Sequence, residues 1–243
     1  MVPLLELHNV IKNFGGLRAI NNLSLTLEQG EVVGLIGPNG SGKTTLFNLI
    51  TGFVKMDSGK IVFNGKDITG YPPYKIVAQG IGRTWQLVNP FPNYTTFDNV
   101  KISCLVKGRQ AENMTKRVIK FLNLTGLNGL QNEKAGNLPI GNLKRLEIAR
   151  ALATEPSLLL LDEPFGGLAH SEIVGLKTLI GELHRKGMTI LLVEHVMREI
   201  LGLVNRLVVL NFGTKLIEGP TYDVLRDENV IEAFLGHSYV EDK

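Results

Sequence analysis

The sequence of 243 residues has little of what marks several protein classes. A single cysteine, Cys104, excludes a disulfide scaffold. No run of about 18 apolar residues is present, so no membrane-spanning helix is predicted. The first residues lack a basic segment followed by an apolar one, and we expect no signal peptide. A net charge of +3 is too small to predict a nucleic-acid partner.

What the sequence does contain predicts a globular protein. Hydrophobic residues make up 44% of the chain, which excludes intrinsic disorder. The length suits one large domain, or one domain with a small subdomain. The 27 glycines exceed the usual share of about 7%. This excess indicates tight turns or backbone that closely approaches a ligand.

Hydrophobic periodicity predicts strands that alternate with helices. Residues 23–28 alternate with period 2, and residues 32–36 form an apolar run typical of a strand buried on both faces. A helix is predicted over residues 143–152, with Lys144 and Arg145 facing outward. The alternation predicts an α/β fold with a mostly parallel sheet flanked by helices, and the early strands predict an additional N-terminal antiparallel β subdomain.

The middle of the chain, from about residue 88 to 137, is more polar and lacks convincing strands. Thr95 followed by Asp98 is typical of a helix N-terminus, and residues 118–124 carry apolar side chains at helical spacing. This stretch predicts an α-helical subdomain inserted into a single domain of residues 1–243. The remaining core would comprise residues 1–87 and 138–243.

A glycine-rich segment lies between the apolar run and a predicted helix. It reads Gly37-Pro38-Asn39-Gly40-Ser41-Gly42-Lys43-Thr44 and matches the P-loop pattern. Glycines let successive backbone N–H groups turn toward one concavity that binds phosphate oxygens, and the following helix adds the positive end of its dipole. Lys43 supplies a charge for the outer phosphates and Thr44 a hydroxyl for Mg²⁺. The segment predicts a P-loop NTPase.

Two acidic residues, Asp162 and Glu163, directly follow the apolar run at residues 158–161. Ligands of a parallel sheet lie outside the carboxyl ends of its strands, so both carboxylates are expected at that edge. Asp162 would bind Mg²⁺, and Glu163 would polarise the attacking water. The alternative is a strand that ends in two solvated acids.

Together, these motifs resemble an ATP-binding-cassette (ABC) ATPase over essentially the whole chain. In that family an aromatic residue after the first strand stacks on adenine, and Phe14 occupies that place; an ordinary core residue is the alternative. Gln86, at the end of Gly82-Arg83-Thr84-Trp85-Gln86, matches the Q-loop glutamine, a ligand of metal and water. His195, after Glu194, matches the switch histidine that reaches the γ-phosphate.

The resemblance implies a site for ATP and Mg²⁺. It implies Glu163, Gln86 and His195 as catalytic residues, and Thr44, Gln86 and Asp162 as metal ligands. The implied nucleotide contacts are Phe14, Gly37, Pro38, Asn39, Gly40, Ser41, Gly42, Lys43, Thr44, Thr45, Leu138, Gly141 and Asn142.

The signature motif of that family, Leu-Ser-Gly-Gly-Gln before a helix, is altered here. The chain has Leu138-Pro139-Ile140-Gly141-Asn142, so Pro139 replaces the serine that would touch the γ-phosphate. Proline is acceptable in the first turn of a helix, and Gly141 keeps its backbone N–H. The segment 166–169, at the place of the D-loop, also lacks the usual terminal Asp. The departure affects the expected rate of hydrolysis, not the fold.

Within the family, residues 64–69, 80–86, 193–195 and 227–236 resemble the ATPase subunits of branched-chain amino acid uptake systems. The last segment also resembles the lipopolysaccharide-export ATPase, and urea-uptake ATPases are close relatives. The transported substrate leaves no trace in this chain.

The resemblance also implies partners. The chain would pair head-to-tail with a second ABC ATPase subunit, as a heterodimer or a homodimer, and would couple closure to transmembrane permease subunits. A periplasmic or extracellular solute-binding protein would act indirectly, and no nucleic acid is expected. The chain would lie peripherally on the cytoplasmic face of the inner or plasma membrane. The contact with the permease subunits would be an apolar patch formed by Phe91, Pro92, Tyr94 and Phe97. The alternative is that these residues pack the helical subdomain.

Three other readings stay open at this point. A soluble cassette ATPase of DNA repair or translation commonly has two cassettes or long insertions, whereas this chain has one P-loop and a short insertion. A P-loop kinase would not need His195 or a signature-like helix. A non-hydrolytic binding module remains possible because of Pro139.

Overall fold

The computed structural model describes residues 3–107 and 113–235, and the chain forms two compact units. One comprises Met1–Pro73 and Thr189–Lys243, and the other comprises Tyr74–Met188. Residues 108–112 of the predicted helical subdomain and Gly236 of the C-terminal segment lie outside the described residues. The expected subdomain boundaries near residues 88 and 137 fall inside the second unit, and the subdomain stays a prediction.

The first unit contains an antiparallel sheet with the strand order β2-β1-β4-β5. Numbered in chain order, its strands are β1 (Leu5–Phe14), β2 (Leu17–Leu27), β4 (Ser58–Phe63) and β5 (Lys66–Asp67). In β2, Leu23, Leu25 and Leu27 are buried, whereas Ser24 and Thr26 between them are not. This alternation confirms the predicted period-2 strand and places one face of β2 in the core.

A second sheet of the same unit has the order β10-β9-β3-β8. Its strands are β3 (Val32–Ile36), β8 (Thr189–Val193), β9 (Arg206–Asn211) and β10 (Thr214–Pro220). β3 runs parallel to β8 and β9, whereas β9 and β10 are antiparallel. Every residue of β3 and β8 is buried, and for β3 the apolar run at residues 32–36 predicts this. The helices are α1 (Lys43–Ile50), α7 (Met197–Ile200), α8 (Thr221–Val224) and α9 (Glu228–Leu235).

The second unit combines two parallel strands with helices. The strands are β6 (Ile81–Arg83) and β7 (Leu158–Asp162). The helices are α2 (Pro73–Gln79), which begins at the unit boundary, α3 (Thr96–Cys104), α4 (Met114–Leu124), α5 (Ile140–Leu152) and α6 (His170–Arg185). None of the helices built from residues 3–107 and 113–235 has the length and apolar character to cross a bilayer.

The start of α3 and the buried face of α4 agree with the sequence pattern. Thr95 caps α3, because its Oγ1 accepts a hydrogen bond from the backbone N–H of Asp98 at 3.0 Å. In α4, Val118, Phe121 and Leu122 are buried on one side of the helix. Both predicted helices of this segment are therefore present.

Candidate functional site

The P-loop connects β3 to α1, and two of its glycines leave no room for a side chain. A Cβ atom on Gly37 would collide with the carbonyl oxygen of Leu210 in β9. A Cβ atom on Gly42 would lie 2.6 Å from the carbonyl oxygen of Ala19, and Gly42 has a φ of +107°, which favours glycine. The curvature of the loop therefore depends on glycine at both positions.

Lys43 is the first residue of α1, and its side chain turns back beneath the loop. The side chain is buried, and Nζ donates hydrogen bonds to the carbonyl oxygens of Gly37 at 2.7 Å and Pro38 at 2.9 Å. The loop thus combines a lysine charge with the N-terminus of an eight-residue helix, and both favour an anion. Six further predicted nucleotide contacts in and just after the loop are at least partly exposed to solvent: Pro38, Asn39, Gly40, Gly42, Thr44 and Thr45.

Phe14 lies at the end of β1 with 48% of its surface exposed. The ammonium of Lys12 lies 5.2 Å from the centre of its ring. An ordinary core residue would be buried, so that alternative is wrong. The predicted stacking of Phe14 on adenine stays a prediction.

His195 lies at the same edge of the sheet as the P-loop. β3 and β8 are adjacent parallel strands with Leu35 opposite Val193, and the P-loop follows β3 as His195 follows β8. The imidazole is about half exposed, and its Nδ1 lies 3.9 Å from Oε2 of the fully buried Glu194. Two predicted parts of the site therefore lie beside the carboxyl ends of neighbouring strands.

Asp162 ends β7 in the second unit and is buried against Arg83. Nη2 of Arg83 donates to Oδ2 of Asp162 at 2.8 Å, and the backbone N–H of Asp162 donates to Oγ1 of Thr84 at 3.2 Å. Burial raises the pKa of Asp162, and the adjacent guanidinium opposes that shift. The alternative of a solvated acid at the strand end is therefore wrong for Asp162.

Gln86 and Glu163 are joined directly. Nε2 of Gln86 donates to Oε2 of Glu163 at 2.8 Å. Glu163 has a φ of +44°, a left-handed conformation that is uncommon for a residue with a long side chain. The structure therefore brings together two of the predicted catalytic residues, which lie 77 positions apart in the chain.

The altered signature segment forms the start of α5. Pro139 is the N-cap and makes no side-chain capping bond, and its carbonyl accepts from the N–H of Leu143 at 3.0 Å. Leu138 and Gly141 are buried, and Asn142 is half-buried. A Cβ atom on Gly141 would meet Oε1 of Glu172, the end of a flexible side chain, so a larger residue there would have to displace that carboxylate.

The prediction that Lys144 faces outward is wrong. Lys144 is buried, and its Nζ donates to the carbonyl oxygens of Gln86 at 3.0 Å and Glu163 at 3.1 Å. A lysine can be buried in this way because backbone acceptors replace water around its ammonium. Arg145 is half-buried, and its Nη1 donates to the carbonyl of Thr125 at 3.0 Å.

Sequence reasoning also missed Glu147. Its Oε1 accepts from the backbone N–H of Trp85 at 3.0 Å, next to Gln86. Burial raises the pKa of Glu147 to about 7, against the opposing effect of the hydrogen bond from Trp85. The sequence does show a charged residue at an apolar position of the helical pattern. This signal predicts that Glu147 has a buried partner but does not identify that partner as Trp85.

Comparison with known proteins decides the family. Residues 20–166, over half of the chain, match the sequence model described as ABC transporter. The chain belongs to the ABC transporter family. This ABC cassette is 39% identical to the high-affinity branched-chain amino acid transport ATP-binding protein LivG of Salmonella typhimurium, over 97% of this chain and 99% of that protein.

Solved structures agree. A nucleotide-free ATP-binding cassette from an ABC transporter matches with a TM-score of 0.89 at 34% identity, covering 97% of this chain and 100% of that one. The ADP conformation of an ABC transporter cassette matches with a TM-score of 0.88 at 34% identity, covering 98% and 100%. The predicted α/β P-loop NTPase fold is confirmed, and the ABC cassette is a nucleotide-binding ATPase.

Proposed function

We propose that this ABC cassette is the ATP-hydrolysing motor of an importer for branched-chain amino acids. The near full-length likeness to LivG carries the proposal. The match covers 97% of this chain, so its span includes the P-loop, Gln86, Asp162 and Glu163. ATP would drive closure of a dimer, and this closure would be coupled to the permease subunits.

The first unit would supply the nucleotide contacts. Its loop fits a polyphosphate, because Gly37 and Gly42 allow the tight loop path against neighbouring strands and Lys43 adds a positive charge. The exposed ring of Phe14 offers a flat apolar surface for adenine. His195, at the same sheet edge, would reach the γ-phosphate.

The second unit would supply the carboxylates of hydrolysis. Glu163 would accept a proton from the attacking water, and the bond from Gln86 would hold its carboxylate in place. Mg²⁺, when bound with ATP, would neutralise phosphate charge, with Thr44, Gln86 and Asp162 as its proposed ligands. The oxygen donors of these side chains are those that Mg²⁺ prefers.

The segment after Gln86 would dock the permease. Phe91 and Tyr94 are 42% and 54% exposed, and their rings meet edge to face with centroids 6.0 Å apart. Phe97 is half-buried, which favours packing for that residue. Exposed aromatic pairs of this kind are typical of protein interfaces. Docking would hold the cassette peripherally on the cytoplasmic face of the membrane.

Transport by the assembled system tests the function. The cassette is reconstituted in liposomes with its permease subunits, a second ATPase subunit and a solute-binding protein, and uptake of labelled leucine and labelled urea is measured. We expect ATP-dependent uptake of leucine, which Glu163→Gln abolishes while ATP binding persists. The exposed Glu133→Gln serves as the matched control. Urea uptake, or full leucine uptake by Glu163→Gln, would contradict the proposal.

A further inference from the structure

The side chain of Lys144 joins two segments that carry proposed catalytic residues. Its Nζ donates to the backbone carbonyls of Gln86 at 3.0 Å and Glu163 at 3.1 Å. Lys144 is only 5% exposed, so water competes little for these bonds. One ammonium group therefore connects the segment after β6 with the segment after β7.

The same two residues are also joined through their side chains. Nε2 of Gln86 donates to Oε2 of Glu163 at 2.8 Å. With the two bonds from Lys144, this makes a closed circuit of three hydrogen bonds in which the backbone and the side chain of each residue are both held. Loss of the lysine would remove the backbone bonds to Gln86 and Glu163 at the same time and leave only their side chains to set the geometry of the pair.

The backbone of Glu163 needs such support. Its φ of +44° lies in the left-handed region, where the Cβ atom of an L-residue is crowded by the backbone. A residue keeps this conformation only when its surroundings hold it. The ammonium bound to the Glu163 carbonyl is one of the groups that do so.

Lys144 belongs to a row of charged residues on one face of α5. Lys144, Glu147 and Arg150 follow one another at intervals of three. Glu147 accepts from the N–H of Trp85 at 3.0 Å, and Nη1 of Arg150 donates to the carbonyl of Asn89 at 2.9 Å. The helix thus holds the segment around Gln86 at three points. Of these three residues, only Lys144 also binds Glu163, which follows β7.

We propose that Lys144 is a positioning residue for ATP hydrolysis. It sets the geometry of the Gln86–Glu163 pair through their backbone carbonyls, and it acts only through them. The proposal rests on the proposed role of Glu163 as the general base. The ammonium donates hydrogen bonds that hold Gln86 and Glu163, which are proposed to act in hydrolysis. Loss of these donors should therefore lower kcat and leave the KM for ATP nearly unchanged.

Steady-state ATPase kinetics of the full chain, assembled with its partner ATPase subunit, test this role. Lys144→Met keeps the length and loses the donors, and we expect kcat at least about tenfold lower with KM changed by less than about twofold. Lys144→Arg, which restores donors, should recover most of kcat. Arg145→Met is the matched control, because it removes a neighbouring cation that binds Thr125 instead. Its kcat should stay within about twofold of the parent.

Several results would overturn the role of Lys144. One is a kcat of Lys144→Met equal to that of the parent, and another is a kcat that does not recover in Lys144→Arg. The third is that Arg145→Met loses as much kcat as Lys144→Met when both lower the melting temperature equally. If Lys144→Met does not fold, Lys144→Gln replaces it; its shorter amide retains only part of the donor set, so kcat should still fall while KM changes by less than about twofold, and a kcat equal to that of the parent would overturn the role. Glu163→Gln is measured in parallel. Full hydrolysis by that variant would contradict the proposed function, whereas loss there with full kcat in Lys144→Met contradicts only the positioning role.

Discussion

The guanidinium of Arg83 binds the carboxylate of Asp162 at 2.8 Å, with both side chains almost fully buried. The guanidinium also lies over the ring of Trp85, 4.2 Å from its centre. Arg83 ends β6 and Asp162 ends the neighbouring parallel strand β7. The ion pair therefore links the strand before Gln86 to the strand before Glu163.

Arg83→Met should destabilise the protein strongly, because it leaves the buried carboxylate of Asp162 without its cation. We expect the free energy of unfolding to fall by about 3–5 kcal/mol in urea titrations. Lys60→Met is the control, since Lys60 and Asp67 are 3.6 Å apart and each about half exposed, and such pairs contribute at most about 1 kcal/mol. Equal effects of the two substitutions would contradict a structural role for the buried pair.

Local patterns predicted the parts of the site that depend on neighbours in sequence. The P-loop could be identified because its glycines, its lysine and the flanking strand and helix are contiguous. Arg83 could not, since its partner Asp162 is 79 positions away. Helical periodicity treats lysine as solvent-exposed and therefore predicts the wrong side of the helix for Lys144. Its two carbonyl acceptors come from segments that only the tertiary fold brings together.

The sequence pattern also could not predict two short elements, the strand β6 and the helix α2. β6 has three residues, too few to display a period, and it was not predicted as a strand. α2 begins at Pro73, a position where proline is favoured, but only Ile76 among its residues is buried. One buried position in seven residues gives no amphipathic signal, so this helix was missed as well.

Glu147 should make stability depend on pH. Its pKa is about 7 in the folded protein and about 4.5 when unfolded, so the folded state binds more protons between these values. The free energy of unfolding therefore falls as pH rises through this window, by about 3 kcal/mol in total from this group. Glu147→Gln keeps an acceptor for the N–H of Trp85 and cannot ionise.

Urea titrations at pH 5 and pH 8 test this linkage. The stability of Glu147→Gln relative to the parent should increase by about 2.5 kcal/mol from pH 5 to pH 8. The difference between variant and parent reports the titration of Glu147 together with its electrostatic coupling to Asp162. A difference that does not change with pH would show that Glu147 titrates near its ordinary pKa.

Lys43→Ala should weaken ATP binding. Lys43 is the buried cation of the P-loop, and hydrogen bonds to charged groups contribute about 1.5–3 kcal/mol. We expect the Kd for ATP, measured by isothermal titration calorimetry, to rise by about ten- to a hundredfold. The exposed Lys55→Ala of the same unit is the control. An unchanged Kd in Lys43→Ala would remove the loop from the nucleotide site.

Phe91 and Tyr94 should matter for transport more than for nucleotide binding. Replacing both with Ser removes an exposed aromatic pair, and a well-packed interface residue commonly contributes more than about 1 kcal/mol to binding. Leucine uptake should therefore fall about tenfold while the Kd for ATP stays constant. Ile102→Ser, another exposed apolar side chain of the unit, is the control. Parallel losses of uptake, ATP binding and melting temperature would mean that the pair packs the subdomain.

The start of α5 lacks the group that the signature motif normally supplies. Pro139 is the N-cap without a side-chain capping bond, and Ile140 after it is 41% exposed. In the proposed head-to-tail dimer, ATP on one P-loop faces the signature segment of the other subunit. A serine hydroxyl would bind the γ-phosphate there, and this chain cannot offer one. The isolated chain should therefore be a weak ATPase that a partner with an intact signature activates.

Restoring Ser at position 139 and Gly at position 140 should raise kcat of the isolated chain by about ten- to a hundredfold, the effect of one hydrogen bond to a charged group. Serine at an N-cap also stabilises a helix by about 1 kcal/mol, so Pro220→Ser at the uncapped start of α8 controls for capping alone. An equal gain in Pro220→Ser would assign the effect to stability. The asymmetry itself fails if the unaltered chain alone turns over ATP as fast as it does with a partner that has an intact signature. It fails equally if the double restoration leaves kcat unchanged, because the γ-phosphate would then not depend on that hydroxyl.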